Sequence, residues 1–270
     1  MPNYARATSA ETITPFEPDL PDGGFHSPSP AEAAAASVDD GIDVVVTPLD
    51  LESKTVSAME ATLSAAERQK ACRFHLDLDR RRFIVARARL RQLLAARLGT
   101  HPELIQLGYG SQGKLALVQR RASMDLRFSI SRSENLAVYA FSNGREIGVD
   151  VEAIRWVRDA EQIAAQCFSR RENLAYLALD PRDRQLGFLN CWTRKEAFAK
   201  ALGESRYCAL EDFDVSLAPD ESAKILHVEN TPGENCRWAL YSFTPIPGFV
   251  AALVAESRHG VAKPGLRIYR

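Results

Sequence analysis

The stretch "IGVDVEAIR" at residues 147–155 sets Asp150 and Glu152 two positions apart, interleaved with Val149 and Val151. On a β-strand, alternate side chains share a face. Both carboxylates then point one way and the valines the other, into a core. Like charges so placed repel, and no basic residue lies immediately beside them. A second chemical set lies about forty residues on, where Trp192, Glu196 and Lys200 are spaced by four. On a helix these form one stripe. Alone, Glu196–Lys200 is an ordinary i,i+4 pair worth about 0.2–0.5 kcal/mol, and Trp192 is a core residue. If the stripe faces the strand bearing Asp150 and Glu152, three carboxylates converge, and a hard divalent cation would offset their repulsion. Mg²⁺ suits such a set, because it takes a few carboxylates and keeps positions for water and phosphate oxygens.

The elements that must position these groups are legible in outline. "IDVVVTPL" (42–49) reads as a strand from its β-branched run. Ser64 with Glu67 fits a capping box at a helix start. A second helix begins near Asp77 or Asp79. Phe83, Ala86, Leu90, Leu93, Leu94 and Leu98 then recur at helical spacing, and Gly99 is placed to end it. Its arginines (80, 81, 82, 87, 89, 91 and 97) read mostly as a solvated face, although such a density of forked donors also suits a phosphate-rich ligand. Gly110 and Gly113-Lys114 mark a loop. "LRFSISRS" (126–133) and "LAVYAFS" (136–142) read as strands. Asn143-Gly144 is a hairpin signal, which puts the carboxylate strand in an antiparallel hairpin with the strand before it.

The second half repeats the order of helices followed by strands. "DAEQIAAQCF" (159–168) is helical, Ser169 with Glu172 is another capping box, and Asp180-Pro181 opens a long helix ending at Gly203. "FDVSL" (213–217), "KILHV" (224–228), "RWALYSF" (237–243) and "FVAALVA" (249–255) read as strands. The expected fold class is therefore α+β, with two similar α/β subdomains in one chain, each an antiparallel sheet packed against a long helix. We divide the chain into a disordered tail at 1–40, rich in Pro, Ser, Ala, Gly and Asp; subdomains at 41–135 and 136–257; and a C-terminal tail at 258–270.

Composition excludes several function classes. The 270 residues carry a formal net charge of −1 and no basic stripe beyond one helix, which argues against a nucleic-acid partner and a two-metal nuclease. No apolar run approaches the roughly 20 residues that span a bilayer. The first residues lack a basic start followed by an apolar stretch, so they do not read as a secretory leader. Cys72, Cys167, Cys191, Cys208 and Cys236 are scattered without C-x-x-C spacing, as expected for reduced, buried thiols in a cytoplasmic protein.

"IGVDVEAIR" followed by "WTRKEAFAKALGE" resembles the paired signature of the 4′-phosphopantetheinyl transferases, in particular the large, pseudo-dimeric class similar to the surfactin-synthetase-activating enzyme. The resemblance spans about residues 42–255. "DRRRFIVARARLRQLL" is similar to that family's basic helix, "QGKLAL" to its Gly-Lys loop and "FSISRS" to its Ser-His-Ser turn. The resemblance implies coenzyme A as substrate, in a cleft between the subdomains. Asp150, Glu152 and Glu196 would ligate Mg²⁺, Lys200 would neutralise phosphate charge, and Arg82, Lys114, Ser131 and Arg132 would hold the nucleotide phosphates. A serine of an apo acyl, peptidyl or aryl carrier protein would take the phosphopantetheine group, with adenosine 3′,5′-bisphosphate leaving. Glu172 matches a glutamate proposed to help remove the serine proton, or else caps its helix with Ser169. With the cleft built inside one chain, a monomer is expected.

Three positions depart from that pattern. Arg132 stands where the family has histidine, Leu115 where proline is usual after Gly-Lys, and Glu134-Asn135 where a glycine often follows the turn. A catalytically inactive relative that binds only carrier protein or coenzyme A is the alternative reading. The intact Asp150, Glu152, Glu196 and Lys200 argue against it.

Overall fold

The computed structural model describes residues 41–110, 113–118, 125–203, 209–229, 231, 233–257 and 264–270. The expected disordered tail at 1–40 lies outside these residues. In chain order the strands are β1 (Ile42–Pro48), β2 (Leu107–Tyr109), β3 (Leu115–Leu117), β4 (Leu126–Ser133), β5 (Leu136–Asn143), β6 (Ile147–Ala153), β7 (Phe213–Val215), β8 (Ile225–Val228), β9 (Trp238–Phe243), β10 (Phe249–Glu256) and β11 (Leu266–Tyr269). The α-helices are α1 (Ser53–Glu60), α2 (Ala65–Ala71), α3 (Asp77–Leu98), α4 (Ala160–Cys167), α5 (Arg170–Ala178) and α6 (Arg184–Leu202).

Two sheets lie back to back, each with one long helix on its outer face. The first has strand order β11-β1-β5-β4 and packs on α3; the second has order β6-β10-β9 and packs on α6. Between the sheets, Val44, Val46 and Val138 meet Val149, Val151, Ala251 and Leu253. Burying a Val or Leu side chain stabilises by roughly 1.5–3 kcal/mol, so this seam holds the two halves as one body. Val149 and Val151 belong to it, as their alternation with Asp150 and Glu152 requires. The α+β class with two helix-backed sheets is the architecture expected from the sequence.

Local signals hold where the chemistry is local. Ser64 and Glu67 form the reciprocal capping box of α2, and Ser169 and Glu172 that of α5. Gly99 ends α3 in the left-handed conformation, φ 60°. The Asn143-Gly144 signal marks a turn, with Gly144 at φ 68°, but not a hairpin between the strands it joins. β5 is paired on both edges, by β1 and β4, so the chain crosses at Gly144 to the other sheet and β6 pairs β10 instead. The close hairpin here is β4–β5, turning at Glu134-Asn135 with Glu134 at φ 47°. β5 thus belongs to the first sheet. Residues 266–269, assigned to a tail, form β11, parallel to β1.

Several α3 arginines are not a solvated face. Arg91, 2% exposed, donates to Glu67 and to the carbonyls of Pro102 and Ile105. Arg97 pairs with Asp43 and covers the Phe141 ring. These cations join α3 to its own subdomain. Of the cysteines expected to be buried, Cys191 is buried, but Cys72 and Cys236 are exposed. No helix among the described residues is long and apolar enough to cross a membrane.

Candidate active site at the seam between the sheets

Asp150 and Glu152 sit on the β6 face that α6 covers. The approach is close because of Gly148, two residues before Asp150. A Cβ there would collide with the backbone at Ala197 and Ala201. Glycine inside a strand often marks such a contact with another backbone. With the helix seated this low, the Trp192–Glu196–Lys200 stripe is the half-buried edge of an otherwise buried helix. Lys200 Nζ then reaches Asp150 Oδ1 at 2.6 Å, and also contacts Ser131 Oγ at 3.2 Å and the Val149 carbonyl at 3.3 Å. The Lys200 end of the stripe therefore faces the carboxylate strand. Trp192 is half-buried and stacked on Phe188.

The third side is β4, which lies along the edge of β6 and joins it through serine side chains. Ser129 Oγ accepts from the Val149 N–H at 3.0 Å, and Ser133 Oγ accepts from the Ala153 N–H at 3.1 Å. Ser131 donates to Asp150 Oδ1 and Ser133 to Glu152 Oε2, each at 2.7 Å. Sequence reasoning singled out Ser131 alone. The missed signal is the alternation Ser129, Ser131, Ser133, which puts three hydroxyls on one strand face.

The electrostatics are those of a crowded acidic site. Asp150 is 4% exposed, and its Oδ2 is buried with no hydrogen-bond partner. Burial, and then the charge of Asp150, push the Glu152 carboxyl up to about 7 against the pull of Ser133. Burial also raises Glu196, with Lys200 pulling it down and Asp150 pushing it up. Lys200 and the serines thus hold the carboxylates together in part, leaving one acceptor unsatisfied. Among the described residues, no three His, Cys, Asp or Glu side chains are grouped closely enough to hold an ion as they stand.

The remaining sequence-chosen residues are placed differently. Arg82 is locked in a two-bond fork with Asp50, both at 2.7 Å, with Glu134 at 3.7 Å. Lys114 contacts the Ile147 carbonyl at 3.1 Å and Glu146 at 3.5 Å, just before the carboxylate strand. Arg132 is exposed, on the β4 face opposite Ser131, with its guanidinium 5.8 Å from the Phe83 ring. Glu172 is 2% exposed, and its oxygens accept from the Ser169 and Val215 N–H groups and pair with Lys195 at 2.6 Å. It is thus built into the packing of α5, α6 and β7, away from any open face. A surface cavity of about 420 Å³, lined by Trp156, Tyr176 and Phe188 among others, lies beside α4, and neither Asp150, Glu152 nor Glu196 lines it.

The sequence profile of the 4′-phosphopantetheinyl transferase superfamily matches residues 146–254, from just before β6 nearly to the end of β10. The chain is 36% identical over 206 residues to the 4′-phosphopantetheinyl transferase HetI of a Nostoc species, covering 76% of this chain and 84% of that protein. It is 30% identical over 167 residues to a Bacillus subtilis 4′-phosphopantetheinyl transferase, covering 62% and 72%. With the transferase gsp of Aneurinibacillus migulanus it shares 25% over 169 residues, covering 63% and 68%. The profile match takes in the carboxylate strand and the lysine-bearing helix together, and, with the HetI match over most of both chains, the chain belongs to the large class of the 4′-phosphopantetheinyl transferase superfamily.

Proposed function

We propose that the protein transfers the 4′-phosphopantetheine group of coenzyme A to a serine hydroxyl of an apo carrier protein, releasing adenosine 3′,5′-bisphosphate. The observation that carries this reading is the meeting of Asp150, Lys200 and Ser131 at 2.6–3.2 Å with Asp150 Oδ2 left without a partner. A buried carboxylate oxygen without a donor is costly and asks for a cation or water. Asp150 and Glu152 on β6 and Glu196 on α6 carry hard oxygen donors of the kind Mg²⁺ takes and would hold it once drawn together from their present spacing. When bound, it would neutralise charge on the pyrophosphate of coenzyme A.

The chain's own residues account for the rest. Lys200 is a mobile point charge that can pass from Asp150 to a phosphate oxygen as negative charge develops there. Ser131 and Ser133 orient the two β6 carboxylates. Arg132 on β4, and Arg82 and Lys114 at the flanks, would meet the nucleotide phosphates. The serine oxygen of the carrier forms a bond to the β-phosphorus while the bond to the bridging oxygen breaks. In such transfers, positioning and charge neutralisation supply most of the rate. We further infer that one chain suffices, since both sides of the seam come from it, and that the protein works as a cytoplasmic monomer. Sedimentation equilibrium tests the monomer. The transfer itself is tested by incubating the protein with coenzyme A, Mg²⁺ and an apo carrier protein and following the carrier's mass.

A further inference from the structure

Lys195 neighbours Glu196 on α6 but points about 100° around the helix, away from the site. It is fully buried. Its Nζ lies 2.6 Å from Glu172 Oε2, donates to the Phe213 carbonyl and stands 4.2 Å from the Phe213 ring centroid. Glu172 is fixed in turn. Its Oε2 accepts from the Ser169 N–H at 2.8 Å and its Oε1 from the Val215 N–H at 2.7 Å. One carboxylate thus links the start of α5, the short strand β7 and the middle of α6. A fully buried ion pair is weak support for stability as such, since apolar residues of similar volume often do as well. What it fixes well is geometry, because each donor and acceptor has one place to go.

That geometry bears on which way α6 turns. Packed cores are close-fitted, so a rotated helix would lose its seat. At the Gly148 contact, the α6 backbone at Ala197 and Ala201 rides on β6. That contact sets the helix's depth, while its rotation is held by side chains, among them the buried Arg194 on Ser216 and Ser242. Lys195, one residue before Glu196, is tied on the opposite side. We propose that Lys195, through its buried ion pair with Glu172, is a positioning residue that sets the rotation of α6 so that Glu196 and Lys200 face Asp150. Glu172 accordingly acts through Lys195 and is not the group that takes the serine proton. This rests on the proposed transferase reading for its kinetic readout only.

The test compares the full-length wild type with K195M, E172Q and the double variant. It measures Mn²⁺ affinity by calorimetry without substrates, amide hydrogen exchange over residues 196–202, and the pH profile of kcat/KM for transfer to an apo carrier protein. Either single variant should weaken Mn²⁺ binding tenfold or more and speed exchange over 196–202. The double variant should be no worse than the poorer single, because the two residues act as one device. The acidic limb of the pH profile should persist in every variant that turns over. If a single variant fails to fold, the double, which leaves no lone buried charge, carries the same expectations. Wild-type Mn²⁺ affinity or unchanged exchange in the double overturns the proposal. So does a double that cannot fold, which makes the pair general scaffold. Loss of the acidic limb in E172Q with Mn²⁺ affinity intact also overturns it, and makes Glu172 the proton acceptor. A wild-type chain that transfers nothing removes the transferase reading but leaves the Mn²⁺ and exchange comparisons standing.

Discussion

Lys200 is the internal counter-ion of Asp150: its Nζ lies 2.6 Å from Oδ1, while Oδ2, buried, has no partner. One cation therefore serves one oxygen of a carboxylate that has two, beside Glu152 and within electrostatic reach of Glu196. The arrangement is half-compensated, which suits a site completed by a second cation and a phosphate.

Removing any of the three carboxylates should then be severe. Asp150→Ala, Glu152→Ala and Glu196→Ala should each abolish transfer, with part of the loss recovered at raised Mg²⁺. The check is carrier modification across a Mg²⁺ titration. Near wild-type turnover in any two of the three at moderate Mg²⁺ would sink the metal assignment.

Gly148→Ala should be among the most damaging single-methyl changes in the chain. The added Cβ meets α6 backbone at Ala197 and Ala201, which cannot swing aside as a side chain can. Overpacking of this kind costs roughly 1–3 kcal/mol. Thermal unfolding should show a clear drop in Tm, and transfer should fall further than the remaining folded fraction explains, because Lys200 and Glu196 move with the helix. A variant with wild-type Tm and turnover would show that the close approach has slack.

The raised carboxyl of Glu152 makes a pH prediction. Its folded value is about 7 against an ordinary 4.5. Between those values the folded chain keeps a proton that the unfolded chain has lost. This contribution is complete below pH 4.5 and is lost as pH rises through 7. Without divalent cations, the Tm of the wild type should therefore fall relative to Glu152→Gln as pH rises over about 5 to 8, and added Mg²⁺ should reverse that trend. Parallel Tm curves for the two proteins would contradict it.

Arg132→Ala should raise the KM for coenzyme A about tenfold to a hundredfold, the worth of one charge-assisted hydrogen bond, with a smaller effect on the KM for the carrier protein. Arg132→His should restore part of the loss, and more at acidic pH, where imidazole is protonated. An unchanged coenzyme A KM at every pH would mean that Arg132 only balances Glu134 nearby.

Much of this site was readable because its signals are local. Alternation in "GVDVE" separates Asp150 and Glu152 from the core valines, spacing by four aligns Glu196 with Lys200, and both capping boxes form as written. What stayed hidden depends on pairing across the fold. Asn143-Gly144 carries a hairpin signal, but β5 already has partners on both edges, and only the assembled sheet reveals that. Arg91 and Lys195 look like surface cations in sequence, and their carboxylates lie 24 and 23 residues away. β11 was missed because a short strand added parallel to β1 leaves no hairpin signal.

The central claim is tested most directly by weighing a carrier protein. The purified chain is incubated with coenzyme A, Mg²⁺ and an apo carrier protein, and the carrier is analysed by intact mass spectrometry. A gain of one phosphopantetheine arm on the carrier's serine, absent when Mg²⁺ is chelated, is the predicted result. A carrier of unchanged mass across acyl, peptidyl and aryl carrier proteins, with coenzyme A still bound by the chain, would contradict it and make the protein a binding relative that keeps the fold without the chemistry.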